Sequence, residues 1–216
     1  MRNEHECKLN EVTLLKILLI SDLECPALWD HYRPERVEGI DMVISCGDLK
    51  REYLEFLVTM TNRPLFYIPG NHDTQYVKYP PEGCECVDGC VVTYRGLRIG
   101  GLGGCKKYSE GEYQYTEREM QRRVRKFHRS VKKAGGLDLF VTHAGMTGFG
   151  DAEDRAHLGF DCFQEIMDKW KPQALCHGHV HQSYGWNIPR MVEYNGIPVI
   201  NAFERYVLEI PDPTVG

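Results

Sequence analysis

Five apolar runs of strand length, each closed by a polar residue, constrain this sequence more than any other feature. Residues 14–20 lead into Ser21-Asp22-Leu23-Glu24, residues 42–46 into Gly47-Asp48, and residues 65–68 into Pro69-Gly70-Asn71-His72-Asp73. Further on, residues 137–142 lead into His143, and residues 174–176 into His177-Gly178-His179-Val180-His181. A continuous apolar run, in place of strict alternation, predicts a strand covered on both faces. Between these runs lie helical signals. Pro26 and Ala27-Leu28-Trp29 predict a short helix, and residues 52–61 place Leu54, Leu57 and Met60 at helical spacing. Strand–helix alternation of this kind implies parallel strands joined by crossover helices, with functional loops gathered at the strands' carboxyl ends. Polar residues at five strand ends can therefore converge.

The rhythm changes after Cys90. Val91-Val92-Thr93-Tyr94 and Leu97-Arg98-Ile99 are separated only by Arg95-Gly96, which predicts a hairpin. Gly100, Gly101, Gly103 and Gly104 follow without an immediate helix, so they indicate close backbone packing or a bend, not a phosphate loop. Thr116-Glu117-Arg118-Glu119 is a capping-box pattern opening a helix with Met120, Val124, Phe127 and Val131 as its apolar stripe, ended by Gly135-Gly136. Its other face carries Arg122, Arg123, Arg125, Lys126, Arg129, Lys132 and Lys133, with His128 on the same surface; it is read as a solvated face, the alternative being a dock for an acidic partner. A helix around residues 161–170 and strands near 197–201 and 206–210 complete the expected elements.

A chain of 216 residues that is 42% hydrophobic can bury one sizeable core, so residues 1–216 are expected to form a single domain. The net charge of −5 argues against a general nucleic-acid binder. No apolar run approaches the roughly 18 residues needed to span a bilayer, and the first eight residues are polar, so a cytoplasmic protein without membrane contact is expected. Nine cysteines are scattered through apolar runs and loops, as reduced thiols would be. Cys84, Cys86 and Cys90 have a spacing that a zinc ion accepts, but no second pair follows, and reduced loop thiols are the better reading.

Taken singly, an Asp after a strand is often a helix cap and a His is often a hydrogen-bonded core residue. Together, Asp22, Asp48, Asn71, His143, His179 and His181 mix carboxylate, amide and imidazole in a way suited to borderline divalent metals. The ordered motifs Asp-x-Glu, Gly-Asp, Gly-Asn-His-Asp, Thr-His-Ala-Gly and Gly-His-Val-His resemble those of the calcineurin-like metallophosphoesterases over nearly the whole chain. The resemblance implies an α/β fold: a four-layer αββα sandwich of two mixed β-sheets flanked by helices, with two divalent metal ions at the carboxyl ends of the strands. It implies that Asp48 bridges the metals, that Asp22 and His181 hold the first, and that Asn71, His143 and His179 hold the second. It further implies a bridging hydroxide as nucleophile and His72 as the general acid facing a small or nucleotide-like phosphate ester. The expected activity is phosphodiesterase or phosphomonoesterase hydrolysis.

Where the family usually has Asp-x-His, this chain has Asp22-Leu23-Glu24. Either Glu24 ligates the first metal, directly or through water, or it points away. As a ligand it would favour manganese or magnesium over the nitrogen-loving ions; manganese is the expected metal, with iron, zinc or magnesium as alternatives. Asp73 either orients His72 or caps a turn. Asp151, Asp154 and His157 either line the substrate pocket or are solvated. His177 alternates with His179 and in extended backbone faces the other way. The competing readings are a catalytically silent scaffold of the same fold, which retention of His72 argues against, and a nuclease, which needs a basic groove.

Overall fold

The computed structural model describes residues 13–184 and 188–214. The first sheet begins with β1 (Leu14–Ile20) and β2 (Met42–Ser45), continues after helix α1 (Arg51–Thr61) with β3 (Leu65–Tyr67), and adds the two-residue β4 (Glu85–Cys86) at its edge. The hairpin β5 (Val91–Tyr94) and β6 (Leu97–Leu102) then opens the second sheet, followed by the small pair β7 (Cys105–Lys106) and β8 (Gln114–Tyr115) and helix α2 (Glu117–Ala134). Next come β9 (Leu139–Thr142), α3 (Phe163–Trp170), β10 (Ala174–His177), the hairpin β11 (Met191–Tyr194) and β12 (Ile197–Asn201), and finally β13 (Tyr206–Pro211), which returns to the first sheet. The sheet orders are β13-β1-β2-β3-β4 and β11-β12-β10-β9-β6-β5. Both are mixed: β1 to β4 and the group β12, β10, β9, β6 are parallel, while β13, β11 and β5 pair antiparallel at the edges.

The continuous apolar runs are explained by three buried layers. Leu15, Ile17 and Leu19 of β1 face Ile99, Val141 and Ile200 of the other sheet across a central core. Their alternates Leu18 and Ile20 face α1, packing on Tyr53, Leu54 and Leu57. Phe140 and Leu175 face α2 and α3, against Phe127, Val131, Phe163 and Ile166. A strand with a buried layer on each side has little room for a charged residue until it ends; Lys16, near the exposed start of β1, is ion-paired with Glu209. Two packed sheets with helices outside are the expected αββα sandwich.

The capping box forms as read: the Thr116 hydroxyl accepts from Glu119 N, the Glu119 carboxylate accepts from Thr116 N, and Gly135 closes α2 in left-handed conformation. The glycines after β6 serve close packing. A Cβ on Gly101 would overlap the Val141 carbonyl oxygen of the paired strand β9, so this close pairing requires glycine.

Several expectations fail locally. Residues 26–31 form turns instead of a helix, with the amides of Leu28 and Trp29 both bonded to the Cys25 carbonyl; the helical piece nearby is a 3-10 turn, Pro34–Val37. Trp29 stacks on Tyr53 at 5.0 Å, so tertiary packing fixes a segment too short to nucleate a helix. Met60 lies outside the core at 44% exposure, beside the left-handed Asn62 that ends α1. His128 is not solvated, because its Nδ1 accepts from Trp170 Nε1 at 2.8 Å. Arg123 leaves the solvated face to pair with Asp88 and donate to the Gly103 carbonyl. Strand β11 escaped the sequence reading, although the Asn195-Gly196 turn after it, with both residues at positive φ, is a strong hairpin signal.

The pairing of β6 and β9 gives a direct test. Gly101→Ala should lower unfolding free energy by about 2 kcal/mol or more, as overpacking into backbone does, read as a shift in the denaturant midpoint. An unchanged midpoint would mean that the sheet does not need glycine there.

Candidate metal centre

The carboxyl ends of β1, β2 and β3 in one sheet and of β9 and β10 in the other meet at one edge of the sandwich, and their turns are bonded together. Asp22 N donates to the Gly47 carbonyl at 3.1 Å, and Gly178 N to the His143 carbonyl at 3.0 Å. Asp73 ties the middle turns. Its Oδ2 accepts from Gly70 N at 2.7 Å and Asp48 N at 2.8 Å, while Asp48 Oδ1 accepts from His72 N at 2.7 Å. Asp73 is buried and binds turn amides, so it caps the turns that carry Asp48 and Gly70; no bond to the His72 ring is seen among the described residues. Burial and the negative Asp48 push its carboxyl up to about 7, against the pull of the two amides. A Cβ on Gly70 would occupy the space of the Asp48 carboxylate, so only glycine lets the two turns close.

His143 is fully buried, and its Nδ1 lies 2.8 Å from the Cys46 carbonyl. A carbonyl can only accept, so Nδ1 carries the hydrogen and Nε2 faces Asp48 Oδ2 and Asn71 Oδ1, each at 3.1 Å. Three lone-pair atoms converging in this way require a proton or a metal cation between them. Burial opposes a charged imidazole, yet the Asp48 carboxylate overrides it and draws His143 up to about 9. In turn His143 outweighs the desolvation of Asp48 and holds that carboxyl down at about 2. His179 supplies the next donor. Its Nε2 donates to the Ala156 carbonyl at 2.7 Å, leaving Nδ1 as the free ligand atom, and burial keeps the ring neutral with a pKa lowered to about 3. Asp48, His143 and His179 each offer a ligand atom, all within 4.8 Å of one another, and this donor set fits a divalent cation.

Asp22 and His181 stand beside this group, with His181 Nε2 3.7 Å from Asp22 Oδ1. Both Asp22 oxygens accept from His179 N at 3.0 Å. The two imidazoles of Gly-His-Val-His do reach one cavity, but not by extended backbone: His179 is left-handed, at φ 69°. Asp22 and Asp48 are left-handed as well, at φ 65° and 58°. Non-glycine residues in this region are uncommon, and three in one cluster are a mark of a functional site.

The residues line a cavity of about 220 Å³ together with Asn71, His72, Tyr108 and His157. The His72 imidazole projects into it, its side chain 76% exposed and its Nε2 4.0 Å from Asp48 Oδ2. The profile of the calcineurin-like phosphoesterase family matches residues 15–183, which includes every one of these motifs.

The chain belongs to the calcineurin-like phosphoesterase family. Two solved structures share the fold of this family member. A crystal structure superposes with TM-score 0.64 at 14% identity, over 93% of this chain and 100% of its own. The crystal structure of TT1561 of Thermus thermophilus does so with TM-score 0.61 at 14% identity, over 92% and 99%. Comparison with curated proteins gives no match. Among the described residues no helix is long and apolar enough to cross a membrane.

Of the residues read from sequence, the fold brings Asp22, Asp48, Asn71, His72, His143, His179 and His181 together. It does not bring Glu24. That carboxylate accepts from Lys50 N at 3.1 Å, the residue that caps the start of α1, and it does not line the cavity. His177 is buried and faces a separate cavity of about 150 Å³. Asp151 is no pocket wall for the metal site; its two oxygens bind Gly148 N and Gly159 N and shape the loop whose Ala156 carbonyl orients His179. Three residues escaped the sequence reading or were left undecided. Tyr108 accepts from Asn71 Nδ2 at 3.2 Å, Ala156 acts through its backbone, and His157, paired with Asp154 at 2.8 Å, lies with its ring 4.9 Å from that of His179 at a tilt of 47°. Only the Asp154-x-x-His157 spacing left a signal. The eight described cysteines are free thiols, and Cys84, Cys86 and Cys90 form no metal cluster among the described residues.

Metal titration against a fluorescent chelator separates these placements. Asp73→Ala should weaken metal binding by about 10–100-fold, as loss of an orienting partner does, and destabilise the fold by roughly 1–3 kcal/mol through two orphaned buried amides. Glu24→Gln keeps an acceptor for Lys50 N and should leave metal affinity unchanged. A large loss in that variant would place Glu24 on a metal.

Proposed function

We propose that this protein hydrolyses phosphate esters with two divalent metal ions, the convergence of Asp48, His143, His179 and Asn71 below an exposed His72 being the observation that carries the reading. Asp48 would be shared between the ions, Asp22 and His181 would hold the first, and Asn71, His143 and His179 the second. When bound, the ions would offset the ester's negative charge and lower the pKa of a bound water so that it attacks at neutral pH. The rest is done by the chain. Asp73 fixes Asp48 and the Gly70 turn in register, Cys46 and Ala156 fix the ring orientations of His143 and His179, and Tyr108 holds the Asn71 amide.

His72 is the proton donor of this scheme. Its backbone is fixed by Asp48 while its ring projects into the cavity, so Nε2–H can reach the leaving oxygen of an ester and deliver its proton as that bond breaks. The open cavity of about 220 Å³ suits a small or nucleotide-like ester. Manganese fits a donor set of carboxylates, an amide oxygen and imidazoles. The single-domain reading is supported by a central core shared by both sheets.

The test is hydrolysis of a chromogenic phosphodiester and a phosphomonoester with added manganese, iron, zinc or magnesium. Wild type should turn over at least one. His72→Ala should keep its metal content and lose roughly 100-fold or more in kcat, as removal of a general acid does. No turnover with any metal, or full activity in the His72 variant, would contradict the proposal.

A further inference from the structure

Helix α2 carries a row of cations that the metal centre does not use. Arg118, Arg122, Arg125, Lys126, Arg129 and the pair Lys132 and Lys133 are all exposed, and among the described residues none makes a salt bridge or side-chain hydrogen bond. At 3.6 residues per turn they fall within an arc of about 120° and extend over about 22 Å of helix. The opposite side of the helix, Met120, Val124, Phe127 and Val131, is fully buried on the second sheet. A helix exposed only for solubility interleaves acids at i,i+4. Within the arc there is none; Glu119 offsets Arg122 at the first turn, and from Arg125 to Lys133 the helix carries no acid. The net charge of −5 for the whole chain conceals this asymmetry.

We propose that the α2 row is a binding surface for a nucleic-acid backbone. The seven cations over about 22 Å of helix make a linear run of positive charge, which a duplex carrying one phosphate charge per roughly 1.7 Å of its axis can match in density. Four are arginines, whose planar fork matches phosphate oxygens. A membrane surface is disfavoured because the apolar face that would enter lipid is already packed on the sheet. A folded acidic protein is disfavoured because the row offers no aromatic or aliphatic anchor, and interface cores are depleted in lysine. Position strengthens the case. Strand β6 runs parallel to β9, so both end at the metal-site edge, and the chain passes from there through β7, the loop of Tyr108 and β8 into α2. The row therefore starts at the same edge of the sandwich as the cavity and descends the flank of the second sheet. A bound polymer would lie with one end at the site.

Binding is independent of turnover and is measured on metal-loaded protein carrying His72→Ala, so failure of either reading leaves the other standing. The probes are a fluorescein-labelled duplex oligonucleotide, polyglutamate and phosphatidylserine vesicles, with fluorescence anisotropy for the first two and co-sedimentation for the vesicles. The oligonucleotide should bind at about 50 mM salt and weaken steeply as salt rises, each lost contact lowering the log–log slope by about 0.9. The variant Arg122→Gln/Arg125→Gln/Arg129→Gln/Lys132→Gln should bind at least tenfold more weakly and with a shallower slope, while Arg122→Lys/Arg125→Lys/Arg129→Lys should keep most of the slope. Absence of oligonucleotide binding, or equal binding by the glutamine variant, overturns the proposal. So does polyglutamate or vesicle binding as tight as that of the oligonucleotide.

Discussion

One carboxylate oxygen holds the centre together. Asp73 Oδ2 accepts from the amides of both Asp48 and Gly70, and with that the ends of two adjacent strands become one rigid unit. The direction of the Asp48 side chain, the path of the backbone into His72 and the approach of His143 from the other sheet all depend on this pair of bonds. It is a costly arrangement without cations. Asp22, Asp48 and Asp73 are largely buried at one edge of the sandwich, and each carboxylate opposes the charge of the next. Divalent ions would turn that repulsion into ligation, so metal binding is expected to contribute to folding stability as well as to chemistry.

The three left-handed residues fit the same account. Asp22, Asp48 and His179 each leave a buried strand by a sharp reversal, which keeps their side chains at the sandwich edge and out of solvent beyond it. Strain of this kind persists where surrounding structure over-determines it, here through bonds between turns from both sheets. The two-sheet core is thus more than a scaffold, because its packing fixes the separation of the strand ends that carry the donors.

Much of this was legible in the sequence because the fold buries both faces of every central strand. Where the apolar runs of β1, β2, β3, β9 and β10 stop, the polar residue has to lie at the edge, and the motif order then points to the family. What the sequence hid has physical causes. Glu24 reads as a ligand by its place two residues after Asp22, but a helix N-terminus lies within its reach and takes the carboxylate. Ala156 acts through its carbonyl, which no side-chain pattern encodes. Tyr108 comes from a long loop whose path depends on tertiary contacts. The basic face of α2 was visible, but not that Arg123 would leave it for Asp88 or that its first turn sits at the metal-site edge.

On the proposed scheme, turns from both sheets would build one centre for two ions around a shared Asp48. The most direct measurement is anomalous X-ray diffraction from crystals grown with manganese. The account predicts two ions per chain, with Asp48 in contact with both. A single ion held by Asp48, His143 and His179, with nothing between Asp22 and His181, would contradict it.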